Sequence, residues 1–163
     1  MREVAPWFGL SAVIVVLDQL SKIGILALLG EGRSIDIWPP VFSLVLAWNP
    51  GAAFSFLASE SGWQRWFFVV IAVAASVLIG YMLVKHAREQ YLCIALALVL
   101  GGALGNLIDR VIYGAVVDFL LVRWPGGPSL FDPWPAFNVA DSCISVGAVL
   151  LILDSFRRSK TKS

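Results

Sequence analysis

Four long apolar stretches separated by polar segments dominate the hydrophobic pattern of this chain. Each is close to the roughly 20 residues that an α-helix needs to cross a bilayer. The pattern predicts membrane-spanning helices over residues 6–29, 66–84, 91–108 and 139–156. The composition agrees, because 59% of the 163 residues are hydrophobic, 14% are charged and the mean hydropathy is +0.83. We therefore expect an α-helical integral membrane protein that forms a single domain.

A different pattern fills two of the connecting segments. Residues 35–38 and 41–48 are rich in β-branched and aromatic side chains and are separated by Pro39-Pro40, and residues 116–124 have a similar composition. We expect these segments to form the strands of one small extracytoplasmic β-sheet. Unpaired strand edges cannot be satisfied inside hydrocarbon, so the sheet must lie at or above the membrane surface.

The net charge of +1 conceals an unequal distribution between the two sides that the helices define. By the positive-inside rule, both termini and the loop between the second and third spans are cytoplasmic, and the other two loops face outward. The basic residues on the predicted cytoplasmic side are Arg2, Lys85, Arg88, Arg157, Arg158, Lys160 and Lys162. The acids assigned to the outer side are Glu31, Asp36, Glu60, Asp109, Asp118 and Asp132.

Ionisable residues inside the spans are functional candidates by default, because a charge is costly in hydrocarbon. Asp18 lies near the middle of the first span and Lys22 follows one turn later, so the two side chains share a helix face and can neutralise each other. Asn106 and Arg110 have the same spacing near the outer end of the third span. For each pair, the sequence leaves open whether the two side chains only clamp the structure or have a functional role.

Two aspartates stand in apolar surroundings near the last two spans. Asp118 follows Gly114-Ala-Val-Val, and Asp141 lies in the first turn of the fourth span, three residues after Asn138. The third span runs outward and the fourth runs inward, so both acids reach the same face and can meet. Two buried carboxylates favour sharing one proton, an arrangement suited to acid–base chemistry. The alternative is that Asp141 only complements the helix dipole, with Asn138 as the N-cap.

Other kinds of catalytic site lack the residues that they need. His86 is the one histidine and lies in the predicted cytoplasmic loop, which excludes Ser–His–Asp and Cys–His arrangements. The sequence has no HExxH zinc motif and no glycine-rich phosphate-binding loop, and it gives no support for nucleic-acid binding. The competing classes are a proton-conducting protein that uses the ionisable residues as a relay, and a small scaffolding subunit. A relay must cross the membrane, whereas the cytoplasmic half of every predicted span is apolar.

Five blocks of sequence, in order, resemble the motifs of the bacterial lipoprotein signal peptidase family, also called signal peptidase II. They extend over nearly the whole chain, and Pro50 stands where Thr is frequent in the family. The blocks are Asp18-Gln-Leu-Ser-Lys22, Asn49-Pro-Gly51-Ala-Ala-Phe54-Ser55, Gly101-Gly-Ala-Leu-Gly-Asn106-Leu-Ile-Asp109-Arg110, Gly114-Ala-Val-Val-Asp118-Phe119 and Phe137-Asn138-Val-Ala-Asp141-Ser-Cys-Ile144.

The resemblance implies a four-helix aspartyl endopeptidase of the bacterial inner membrane, with Asp118 and Asp141 as the catalytic dyad near the outer face. Its implied partners are membrane lipid and a diacylglyceryl-modified prolipoprotein, whose signal peptide it would cut off before the lipid-modified cysteine. No metal or organic cofactor is implied. The residues implied to line the site and position the substrate are Asn49, Asn106, Arg110 and Asn138. Those implied to support the fold or the site are Asp18, Lys22 and Gly51.

Overall fold

The computed structural model describes residues 3–51, 62–128 and 132–161. The second half of the Asn49 motif, with Phe54 and Ser55, lies outside these residues, as do Arg2, Glu60 and Lys162. The described part contains the helices α1 (Ala5–Leu28), α2 (Trp63–Lys85), α3 (Gln90–Ile112) and α4 (Val139–Thr161). It also contains the strands β1 (Ser34–Trp38), β2 (Phe42–Asn49) and β3 (Val116–Val122). The predicted architecture of four helices and a small sheet is confirmed.

All four helices are long and apolar enough to cross a membrane. The outer surface of the bundle agrees with this role, because large apolar side chains on the helices are exposed rather than buried against protein. In a soluble protein such a surface would be unstable in water, whereas lipid chains solvate it well. Examples of these exposed side chains are Leu20, Val70, Val77, Ile152 and Phe156.

The ends of three helices differ from the prediction by three residues or more. α2 begins at Trp63 rather than at residue 66, α3 ends at Ile112 rather than at residue 108, and α4 ends at Thr161 rather than at residue 156. The predicted end of the third span at residue 108 was therefore wrong, because Asp109 lies inside α3 and is fully buried. The physical reason is that the charge of Asp109 is compensated by Lys22 of α1, so the helix does not have to end where the apolar run ends.

α3 is the central helix and packs against α1, α2 and α4. Its contact with α1 is close because Gly101 has no side chain. A Cβ atom at this position would lie 2.7 Å from Cβ of Ile14 and 2.9 Å from the backbone oxygen of Ser11. Between α2 and α3 the contact is an apolar cluster formed by Ile79, Leu83, Cys93, Leu96 and Leu100.

The three strands form an antiparallel sheet in the order β1-β2-β3. Ile25 of α1 and Leu29, the residue that follows this helix, pack against Phe119 and against apolar residues of the strands, which attaches the sheet to one end of the bundle. We call this end, where α1 and α3 end and α4 begins, the sheet end. The segment before α4 also pairs with β3, because Phe137 and Leu120 exchange backbone hydrogen bonds of 3.0 and 2.8 Å. The start of α4 is thereby held beside β3.

Candidate active site

Asp118 in β3 and Asp141 in the first turn of α4 line one cavity at the sheet end, with a volume of about 780 Å³. They meet there because Phe137 pairs with Leu120 and so brings the start of α4 next to the middle of β3. Asp118 is only 3% exposed. The structure thus brings together the two acids that the sequence singled out.

Asn138 connects the two acids. Its Oδ1 accepts the backbone N–H of Asp141 at 2.8 Å, and Oδ2 of Asp141 accepts the backbone N–H of Asn138 at 3.2 Å, which is a reciprocal cap at the start of α4. Nδ2 of Asn138 donates to Oδ1 of Asp118 at 2.8 Å. Asn138 therefore caps α4 and at the same time connects Asp141 to Asp118. Asn138 itself is fully buried and is not among the residues that line the cavity, and its implied contact with substrate stays a prediction.

Two further asparagines complete the hydrogen bonds of the carboxylates and line the cavity. Nδ2 of Asn49 donates to Oδ2 of Asp118 at 3.1 Å, and Nδ2 of Asn106 donates to Oδ1 of Asp141 at 2.7 Å. Each carboxylate therefore receives two N–H donors from Asn residues. Neutral donors of this kind fix the orientation of a carboxylate without contributing the positive charge of an ion pair.

Arg110 holds the turn that carries Asn49. Its Nη2 donates to the backbone oxygen of Gly51 at 2.9 Å, and the N–H of Gly51 donates to Oδ1 of Asn49 at 3.1 Å. The guanidinium also lies 5.1 Å from the centroid of the Phe68 ring. The side chains of Asn106 and Arg110 have different partners, and the two residues are connected only by a 3.4 Å bond from Nη1 to the backbone oxygen of Asn106.

Lys22 lies behind the cavity in a buried ionic cluster. Its Nζ is 2.8 Å from Oδ2 of Asp18 and 2.6 Å from Oδ2 of Asp109, and it donates to Oδ1 of Asn106 at 3.0 Å. The pairing of Asp18 with Lys22 agrees with the sequence interpretation. Asp109 was not among the candidate site residues. The available signal was its position four residues after Gly105, on the helix face that contacts α1.

The rest of the cavity wall is mainly apolar. It follows α4 from Asp141 to Val146, which is more than one helical turn, and Val146 is 53% exposed on the outside of the bundle. The apolar side chains of this wall were not identified as site residues from the sequence. They include Trp48, Trp134, Pro135, Phe137, Ile144 and Val146.

The polar groups of the cavity include two carboxylates, two carboxamides, one guanidinium and the hydroxyl groups of Ser142 and Ser145. Within residues 3–51, 62–128 and 132–161, no cluster of three or more His, Cys, Asp or Glu side chains is arranged to hold a metal ion. The chemistry that these side chains themselves offer is proton transfer by the two carboxyl groups.

Burial raises the pKa of Asp118 from its ordinary value of 3.8 to about 7, and the nearby charge of Asp141 contributes to the rise. The N–H donors of Asn49 and Asn138 and the positive charge of Lys22 act in the opposite direction but are outweighed. Asp118 therefore keeps its proton in a substantial fraction of molecules at neutral pH, as acid–base catalysis by a carboxyl pair requires.

Comparison with known proteins gives a consistent picture. The sequence model of the family described as signal peptidase (SPase) II matches residues 10–157. The lipoprotein signal peptidase of Janthinobacterium sp. (strain Marseille) is 54% identical over 156 residues, which cover 96% of this chain and 91% of the relative. That of Ralstonia nicotianae is also 54% identical, over 95% of this chain and 86% of the relative. A bacterial membrane enzyme solved by the in meso method at 2.3 Å is similar with a TM-score of 0.85 and 31% identity, covering 98% of this chain and 92% of the solved one.

The raised pKa of Asp118 predicts that the free energy of unfolding decreases as pH rises. The folded protein retains a proton that the unfolded chain releases, so this contribution is complete below the ordinary pKa of 3.8 and is lost as pH rises through about 7. Asp118→Asn removes the titration. The Tm of this variant minus that of the wild type, measured in detergent, should therefore increase between about pH 5 and about pH 8.5. A difference that stays constant over this range would contradict the assigned pKa.

Proposed function

This chain belongs to the signal peptidase II family, and on that premise we propose that Asp118 and Asp141 are the catalytic pair with which it removes signal peptides from prolipoproteins. The activity is that of an aspartic-type peptidase in a membrane. The observation that carries the proposal is the convergence of two carboxyl groups, from a strand and from a helix, on one cavity at the sheet end.

The proposed mechanism uses one shared proton. The ionised carboxylate accepts a proton from a water molecule as the water oxygen attacks the scissile carbonyl carbon. The protonated carboxyl group donates a hydrogen bond to the carbonyl oxygen and then transfers its proton to the leaving nitrogen as the C–N bond breaks. The products are a carboxylic acid and an amine, and the dyad returns to its singly protonated state.

The neighbouring polar residues divide between two tasks in this proposal. Asn138 positions the acids, since it contacts both and is fully buried. Asn49, Asn106 and Arg110 line the cavity, where their remaining polar atoms are available to the backbone of a bound peptide. Precise placement of the scissile bond lowers the barrier, because orientation replaces a search among many poses.

The apolar wall of the cavity favours a substrate that carries lipid chains. It extends from Asp141 to the exposed Val146, so a ligand in the cavity is in contact with the surrounding bilayer. We infer that the diacylglyceryl chains of the prolipoprotein remain among the lipid chains and that the substrate enters sideways. The scissile bond, which precedes the lipid-modified cysteine, then lies at the same membrane depth as the two acids.

The loop charges support an orientation in which the sheet end faces outward and both termini are cytoplasmic. Lys85, Arg88 and Arg157 lie at the end of the bundle opposite the sheet, where the positive-inside rule expects them. This orientation places the cavity at the outer surface of the bacterial inner membrane.

Asp118→Asn and Asp141→Asn should each lower kcat by about 10²–10⁴-fold, because Asn has nearly the same shape but cannot exchange the proton. The measurement is cleavage of a lipidated precursor by purified protein. Asp36→Asn is the matched control, since Asp36 is an exposed acid of the same sheet, hydrogen-bonded to Ser43 and outside the cavity. Near wild-type turnover in either dyad variant would falsify the catalytic assignment.

A precursor peptide with an unmodified cysteine should have a kcat/KM lower by about 10²-fold or more, because the lipid chains hold the scissile bond at the acids. Each buried CH₂ group contributes roughly 0.8 kcal/mol to that binding. The two peptides are compared at equal concentration in the same bilayer preparation. Equal kcat/KM values would rule out lateral entry of the lipid as the basis of recognition.

Cysteine labelling in intact spheroplasts tests the orientation. In a variant without Cys93 and Cys143, an impermeant maleimide should label Pro125→Cys directly, because this residue is in the exposed loop after β3. Arg88→Cys, at the opposite end, should react only after permeabilisation. The reverse result would place the cavity on the cytoplasmic side.

A further inference from the structure

Asp109 holds the strand that carries Asp118. Its Oδ2 accepts the backbone N–H of Val117 at 3.1 Å, directly before Asp118 in the chain. Asp109 and Val117 are both fully buried. A buried backbone N–H needs a partner, so this bond fixes the position of β3 next to the end of α3.

Asp18 makes the corresponding contact with the helix that carries Asp141. Its Oδ1 accepts the backbone N–H of Ala140 at 2.9 Å, directly before Asp141 in the chain. A carboxylate at the first turn of a helix also interacts favourably with the helix dipole. Each acid of the dyad is therefore preceded by a residue whose N–H is held by a buried carboxylate of another helix.

Lys22 joins these two carboxylates. Its Nζ lies 2.8 Å from Asp18 and 2.6 Å from Asp109, so a single ammonium group sets the distance between them. The third donor of the ammonium goes to Oδ1 of Asn106, at 3.0 Å. This contact turns the Nδ2 of Asn106 towards Asp141, to which it donates at 2.7 Å.

We propose that Asp109 is a positioning residue that, through Lys22 and Asp18, sets the separation of Asp118 and Asp141. The inference rests on the proposed function, because it takes these two acids as the catalytic pair. They come from different elements and must share a proton, so their spacing needs a rigid connection. A displacement of about 1 Å at such a site can lower the rate by about 10²-fold.

The contacts of Asp109 use both of its oxygens. Oδ1 accepts Nε2 of Gln19 at 2.9 Å, while Oδ2 accepts both Lys22 and Val117. In Asp109→Asn, the new NH₂ group would face one of these donors, so at least one contact is lost. Asp109→Glu keeps the negative charge beside Lys22 but adds a CH₂ group, which displaces the carboxylate relative to Val117.

The test compares both Asp109 variants with the wild type, using purified protein, the lipidated precursor and a lipid bilayer of fixed composition. We expect kcat to fall by about 10²-fold in Asp109→Asn and by at least about tenfold in Asp109→Glu, with KM within about threefold of the wild type. The lipid chains still bind the unchanged apolar wall, so the loss appears in kcat. A purely structural role would lower Tm and leave kcat per folded molecule unchanged.

Asp154→Asn is the matched control. Asp154 is another buried acid of the bundle, bonded to Arg158 at the end opposite the sheet, and its loss should leave kcat and KM within about threefold of the wild type. Wild-type kcat in both Asp109 variants, with Asp118→Asn inactive in the same assay, would overturn the positioning role alone. Wild-type kcat in Asp118→Asn would instead overturn the proposed function.

Discussion

The sheet end depends on one ammonium group that is held between two carboxylates in the interior of the bundle. Lys22, Asp18 and Asp109 are almost completely inaccessible, and removing one partner of such a buried group costs about 3–5 kcal/mol. The backbone has adapted to the cluster, because a Cβ atom on Gly105 would lie only 2.6 Å from Oδ2 of Asp18. The charges of the cluster can compensate each other only if α1 and α3 approach closely, and Gly105 permits that approach.

Asparagine side chains separate this cluster from the acids of the cavity. Asn106 lies between Lys22 and Asp141, and Asn138 and Asn49 are the side-chain partners of Asp118. A cation in direct contact would lower the pKa of a carboxyl group by about 1–3 units. With carboxamides in between, burial dominates at Asp118 and its pKa stays near neutral. The positive charge that stabilises the fold is thus kept away from the carboxyl group of Asp118.

The sequence predicted the elements well, because apolar length determines a membrane span and β-branched composition marks strands. It failed where a tertiary contact overrides the local pattern. The apolar run ends before Asp109, but the helix continues, since a lysine on another helix compensates the acid. Asp118 and Asp141 could be singled out because apolar neighbours make a carboxylate conspicuous. The sequence did not reveal that Asn138 bridges the two acids or that an apolar wall follows α4. Both features depend on how the start of α4 is placed beside β3.

The lateral entry proposed at the open side of the cavity, near Val146, has a consequence for how the enzyme meets its substrate. A site reached in this way samples molecules that diffuse in two dimensions within the membrane. The quantity that determines occupancy is then the mole fraction of substrate among the lipids, and the molar concentration in the surrounding water has no direct meaning. Diluting enzyme and substrate with buffer leaves their encounters unchanged, whereas adding lipid or detergent spreads them over a larger surface and slows the reaction.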